Sequence, residues 1–238
     1  MKFSAILALA SIAAAFPTLS EPELDERDIL EIEARDIEAR QRGRVGSTAK
    51  EFSTGGCKDV IMVFARGSTE IGNMGTICGP QTANNVKGQF SSVAVEGVDY
   101  AAGLSTNFLP GGADPAGVAE MKKIIGEVNS QCPNSMMVVG GYSQGAAVTH
   151  RAVEDLPQAQ KDQIVAAFMF GDTQNTQDKA QIPNFPKSKT KIICAQGDAV
   201  CKGTLTILPA HLSYGNQAGN MADFINQKLT AAGAQRRK

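Results

Sequence analysis

Residues 136–148 read Met-Met-Val-Val-Gly-Gly-Tyr-Ser-Gln-Gly-Ala-Ala-Val, and they constrain this chain more than any other stretch. A short apolar run leads into a turn, and the turn into a segment of small helix-forming residues. At the turn stands Gly141-Tyr142-Ser143-Gln144-Gly145, a G-x-S-x-G pentapeptide. A serine on so tight a strand-to-helix turn takes up strained backbone angles. Its hydroxyl then stands clear of the sheet, over the positive end of the following helix. The flanking glycines remove side chains that would collide where helix and strand pack closely. The bare pentapeptide is a weak signal, and a Gly-rich turn whose serine caps a helix is the plain alternative. The strand before it and the helix after it favour a nucleophile.

The first fifteen residues hold Lys2 and then an apolar run ending Ala13-Ala14-Ala15. This pattern predicts a secretory signal peptide over 1–15 with an A-x-A-like cleavage site. The run is too short to span a bilayer, and no later run approaches 18 apolar residues, so no transmembrane anchor is expected. Residues 16–44 carry nine acidic residues and five arginines, with Arg40, Arg42 and Arg44 closing the segment. They read as an acidic pro-segment ending at a basic processing site, with a solvated helix that stays attached as the alternative. Residues 45–238 suit one domain with a sizeable core. Their net charge, about +2 by count, leaves no basic footprint for nucleic acid.

All five cysteines, Cys57, Cys78, Cys132, Cys194 and Cys201, follow the acidic segment. In a secreted chain they favour disulfides, with one thiol left over. Cys194 and Cys201 are close enough in sequence to close a small loop. Neither a C-x-x-C nor a His cluster suggests a metal, and no cofactor is expected. No N-x-S/T sequon follows the signal.

Apolar runs at 59–65, 164–170 and 191–195, with a weaker one at 93–98, predict strands buried on both faces. Helices are expected over 81–90, from Asp114-Pro115 to about 130, after Ser143, and beyond Gly215. In the last of these Met221, Phe224, Ile225 and Leu229 share one face. Strands alternating with helices imply an α/β protein with a parallel sheet and right-handed crossovers. Ligands in such sheets bind beyond the carboxyl ends of the strands. Ser68, Ser143, Asp172 and Asp198 all follow strand ends, so they belong to one edge.

A serine needs a base, and the chain has two histidines. His150 lies seven residues after Ser143, about 10 Å along the same helix. It cannot reach the hydroxyl and is placed on the helix flank. His211 is then the base by elimination. The base needs a carboxylate to orient it. Asp198, inside the 194–201 loop, is favoured over Asp172, and the order becomes Ser…Asp…His. Oxyanion donors are expected from the backbone N–H of Gln144 and from Ser68 in Arg66-Gly67-Ser68-Thr69, with an ordinary turn serine as the alternative for Ser68.

The segments Phe64-Ala65-Arg66-Gly67-Ser68-Thr69-Glu70, Asn107-Phe108-Leu109-Pro110, Cys132-Pro133, Gly140 to Ala146, Cys194 to Cys201 and Pro209-Ala210-His211-Leu212 together carry a family signature. In these the chain resembles the fungal cutinases, small secreted serine esterases. The resemblance covers most of 57–215 and leaves the first 44 residues outside. It implies a three-layer α/β/α sandwich with a five-stranded parallel sheet and no lid. It implies Ser143 as nucleophile, His211 as base and Asp198 as acid. It further implies Ser68 and Gln144 as oxyanion hole, with Asn107 supporting Ser68. The disulfides it implies are Cys57–Cys132 and Cys194–Cys201, worth roughly 4.5 and 2.5 kcal/mol by chain entropy. Cys78 departs from that pattern and is expected as a free buried thiol.

Leu104, Phe108 and Leu109 on one side, and Leu205, Ile207, Leu208 and Leu212 on the other, flank the site in sequence. About half are expected in the core and the rest in an apolar rim that settles on a waxy solid. The resemblance implies cutin, the hydroxy-fatty-acid polyester of plant cuticle, as an insoluble substrate, and a secreted, extracellular monomer. An acetylxylan esterase or small lipase, and a non-catalytic binding protein on the same fold, are the other readings.

Overall fold

A computed structural model describes residues 25–41 and 43–237. The expected signal peptide lies outside the described residues. In chain order the elements are α1 (Glu26–Gln41), α2 (Glu51–Gly55), β1 (Val60–Ala65), α3 (Gly79–Gln89), β2 (Val93–Gly97), α4 (Pro115–Gln131), β3 (Met136–Tyr142), α5 (Gln144–Val153), α6 (Gln158–Gln163), β4 (Ile164–Phe170), β5 (Thr190–Ile193) and α7 (Ala218–Ala231). The five strands form one sheet in the order β2-β1-β3-β4-β5, with every pair parallel.

The apolar runs serve both faces because successive side chains of a strand point opposite ways. From β1, Ile61, Val63 and Ala65 pack with Met121, Ile125 and Val128 of α4 and Ala146 to Val148 of α5. Val60, Met62 and Phe64 pack on the other face with Val86 of α3 and Met221, Ile225 and Leu229 of α7. All six residues of β1 are buried, each worth about 1.5–3 kcal/mol where the side chain is a full-sized apolar one.

The expected elements differ from the observed ones at their ends. α4 is capped by Asp114, whose carboxylate accepts from the N–H groups of Ala116 and Gly117 at 2.9 and 3.4 Å, with Pro115 in its first turn. β5 stops at Ile193, before Cys194 turns off to pair with Cys201. α7 starts at Ala218 because a tight turn over Tyr214–Gln217 comes first. The short helices α2 and α6 are absent from the sequence reading.

The structure pairs Cys57 with Cys132 across 75 positions and Cys194 with Cys201 across seven. Cys78 is free and buried, and burial pushes its thiol well above the ordinary range.

From β1 the chain runs outward to β2 and returns to β3 on the other side of β1. This switch point opens a crevice at the carboxyl ends of β1 and β3, where such sheets hold ligands.

Candidate active site

The turn after β3 places Ser143 at φ 55° and ψ −119°, a conformation that L-residues rarely adopt. The two glycines are obligatory here. A Cβ on Gly141 would lie 2.1 Å from the Gly145 carbonyl oxygen, and one on Gly145 would lie 2.0 Å from that of Ala65. α5 therefore starts directly against β1 and β3, with Ser143 at its N-terminus.

Two loops bring their side chains to that hydroxyl. His211 Nε2 lies 2.9 Å from Ser143 Oγ. On the other side of the ring, His211 Nδ1 lies 2.8 Å from Asp198 Oδ2. With Nδ1–H donating to the carboxylate, Nε2 is left as an acceptor for the serine proton. Asp198 and His211 are almost fully buried.

Further groups hold this arrangement, and no motif in the sequence marks them for that role. Tyr214, fully buried, donates its hydroxyl to Asp198 Oδ2 at 2.6 Å and accepts from the Ala195 N–H at 2.9 Å. Burial, and then the Asp198 carboxylate, push the Tyr214 phenol well above its ordinary range, so it remains a donor. The Val200 N–H donates to Asp198 Oδ1 at 2.9 Å. Tyr142, inside the pentapeptide, donates to the His211 carbonyl at 2.7 Å, with the two rings 5.1 Å apart. Tyr214→Phe is expected to cost about 1.5–3 kcal/mol, the range for a hydrogen bond to a charged group. A urea titration checks it, and an unchanged midpoint would count against the bond.

Ser68 lies on the loop after β1. Asn107 Nδ2 donates to Ser68 Oγ at 2.9 Å and to the Leu104 carbonyl at 3.0 Å. The loop is stiffened by Arg66, whose Nε donates to the Glu70 carbonyl at 2.6 Å and whose guanidinium lies over the Tyr100 ring. Glu70 accepts from the N–H groups of Gly67, Thr76 and Ile77 at 2.8–2.9 Å. Burial raises its carboxyl above the ordinary range against the pull of those three donors.

Ser68, Asn107, Ser143 and His211 line one cavity of about 500 Å³. The flanking apolar residues depart from the expectation that half are core. Leu104 is half-buried. Phe108, Leu109, Leu205, Ile207, Leu208 and Leu212 are all exposed, Phe108 to 66% and Leu212 to 57%. They sit on loops beyond the sheet edge, where no layer covers them. A third contributor is Ile32 of α1, which also lines the cavity. α1 is held there by Asp36, whose carboxylate accepts from the backbone N–H of Ser47 at 2.6 Å and from its hydroxyl.

His150 departs from its expected place, whereas Asp172 stands apart from His211 as expected. His150, expected on the helix flank, is fully buried. Its ring is turned to the segment after β4, where it meets two carboxylates. Its Nε2 lies 3.1 Å from Asp172 Oδ2 and its Nδ1 lies 2.8 Å from Asp178 Oδ2. Asp172 is thus occupied away from His211. Among the described residues no group of three or more His, Cys, Asp or Glu side chains is arranged to hold a metal. Nor, among them, is any helix long and apolar enough to cross a membrane.

The chain is similar to known proteins in sequence and in fold. A family model described as Cutinase matches residues 56–229. The chain is 50% identical over 195 residues to a cutinase of Pyricularia oryzae, covering 81% of this chain and 90% of that one. It is 47% identical over 207 residues to a probable cutinase of Aspergillus niger, covering 85% and 79%. A solved Trichoderma reesei cutinase, in complex with a phosphonate inhibitor, superposes with a TM-score of 0.69 at 32% identity, over 84% of this chain and 87% of that one. Acetylxylan esterases at 21–23% identity and a TM-score of 0.56 share the fold.

Proposed function

Because the chain belongs to the cutinase family, whose members are carboxylic ester hydrolases, we propose that it is a secreted serine esterase cleaving cutin. The observation that carries this reading is the Ser143–His211–Asp198 chain of hydrogen bonds at the wall of an apolar-rimmed cavity.

In this reading Ser143 Oγ attacks the ester carbonyl while His211 Nε2 takes its proton. Asp198 stabilises the imidazolium that forms. The carbonyl oxygen, now negative, is met by the backbone N–H groups of Ser68 and Gln144. Ser68 Oγ joins them. It accepts from Asn107, so its own proton is free to point at the oxyanion. The intermediate collapses, His211 returns the proton to the leaving alcohol, and Ser143 keeps the acyl group. Water, activated by the same histidine, then releases the acid. The exposed banks around Phe108 and Leu212 settle on the solid polyester and place its chains over the cavity.

The same reading takes residues 1–15 as the signal peptide and 16–44 as a pro-segment ahead of the catalytic domain over 45–238. Cleavage near Arg44 would remove α1 and, with it, Ile32 from the cavity.

The test is a hydrolysis series from short to long acyl esters run beside solid cutin, with an organophosphate as covalent probe. Hydroxy-fatty acids should be released from cutin, and one organophosphate should attach per chain, at Ser143. Activity confined to acetyl esters would assign the site to an acetylxylan-type esterase. Labelling at any other residue would overturn the nucleophile.

A further inference from the structure

Gln144 takes part in the reaction, on the reading above, through its backbone N–H alone. Its side chain is fully buried and faces away from the backbone donor's task. Nε2 donates to the Gly103 carbonyl at 2.8 Å and to Thr106 Oγ1 at 2.7 Å. Thr106 Oγ1 donates in turn to the same Gly103 carbonyl at 2.8 Å. A carbonyl oxygen only accepts, so the amide must present its nitrogen here. Gln144 Oε1 is left buried with no hydrogen-bond partner. An unpaired buried carbonyl is unfavourable, so what is retained is the donor end.

The segment gripped in this way carries Asn107. Leu104–Phe108 is a single tight turn, with Asn107 next to Thr106 in the chain. Asn107 reaches Ser68 Oγ. One residue on, the Thr69 N–H donates to the Ala102 carbonyl at 2.9 Å. The 102–107 segment therefore spans from the start of α5 to the loop after β1. The two halves of the oxyanion hole, at Ser68 and Gln144, sit at those same two places. The last registered pair between β1 and β3 is Ala65–Gly141. Beyond it the sheet ladder no longer sets the spacing of the loops.

We propose that the Gln144 side chain is a positioning residue: by clamping the 103–106 turn it holds Asn107, and through Asn107 the Ser68 hydroxyl, at a set distance from its own backbone N–H. One residue then supplies an oxyanion donor and fixes where the opposite donor stands. The proposal rests on Ser143 being the nucleophile.

Gln144→Met keeps the backbone N–H and the side-chain bulk and removes both donors. On a short soluble ester, kcat should fall by on the order of 10-fold to 10²-fold with KM little changed, since small misplacements of a catalytic group act at that scale. Asn107→Ala should fall in the same range. The deciding measurement is the double variant. Two residues on one mechanical path should together cost about as much as the larger single loss. Losses that multiply would overturn the proposal, as would a Gln144→Met enzyme with wild-type kcat. Should Gln144→Met fail to fold, Thr106→Val, which removes only the bridging hydroxyl, enters the same cycle under the same criteria. Organophosphate labelling separates the two readings. Wild-type enzyme that is not labelled at Ser143 sinks the nucleophile assignment. Full labelling with multiplicative losses sinks the clamp alone.

Discussion

His211→Ala should lower kcat on soluble esters by 10³-fold or more, the scale at which removing one member of such a triad leaves only binding and oxyanion stabilisation. His211 Nε2 is 2.9 Å from Ser143 Oγ, and the other histidine has both ring nitrogens committed to Asp172 and Asp178. Among the described residues, His211 is the one base hydrogen-bonded to Ser143 Oγ. KM should change little, because the apolar banks that receive the acyl chain do not depend on the imidazole. Steady-state kinetics on a soluble ester, with circular dichroism to verify folding, measures it. A folded His211→Ala enzyme within tenfold of wild type would show that the base is drawn wrongly.

His150→Ala should act on the fold instead, costing about 3–5 kcal/mol of stability, the range for removing one partner of a buried ion pair. His150 and Asp172 are completely buried, and Asp178 is nearly so. Arg151 and Glu154 complete the charges around them, Arg151 pairing with both Asp178 and Glu154. Burial pulls the His150 imidazole down. The hydrogen bonds to Asp172 and Asp178, and their charges, outweigh it and hold the group up at about 9. A folded-state value above the unfolded one means the imidazolium stabilises the native state fully below about pH 6.5. That contribution is lost as the pH rises through about 9. Removing His150 should therefore lower the melting temperature by roughly 10 °C at pH 6, and the difference from wild type should shrink above pH 9. Turnover at low temperature should stay within about tenfold. A variant that melts with wild type at pH 6 would contradict the buried ion pair.

Different physical signals decided what could be read early. The strands were legible because a run buried on both faces is apolar at every position, as in β1 and β4. The Ser143 turn was legible because its strain demands glycines at fixed offsets, and those are visible in one dimension. His211 followed from counting, since only two histidines exist and helix geometry removes one. The same geometry leaves the burial of His150 open, because its partners Asp172 and Asp178 lie on a segment 22 and 28 positions away. The rim is not legible for a related reason. Leucines and isoleucines on a loop look the same in sequence whether or not a layer covers them, and here none does.

By itself, then, the sequence determined several features that depend on neighbours along the chain: the strand runs, the strained serine turn, the Asp114 cap, and the residue types around the crevice. Only the tertiary structure decided the pairings that close around them. Tyr214 clamps Asp198 from 16 positions away, and His150 meets Asp172 and Asp178 from 22 and 28. Gln144 grips a turn some forty residues earlier, and Ile32 reaches the cavity from the acidic helix. The physical reason is common to all of these. A contact in a packed interior, polar or apolar, is set by distance and direction, and two residues far apart in sequence acquire both only when the sheet and its layers bring them together.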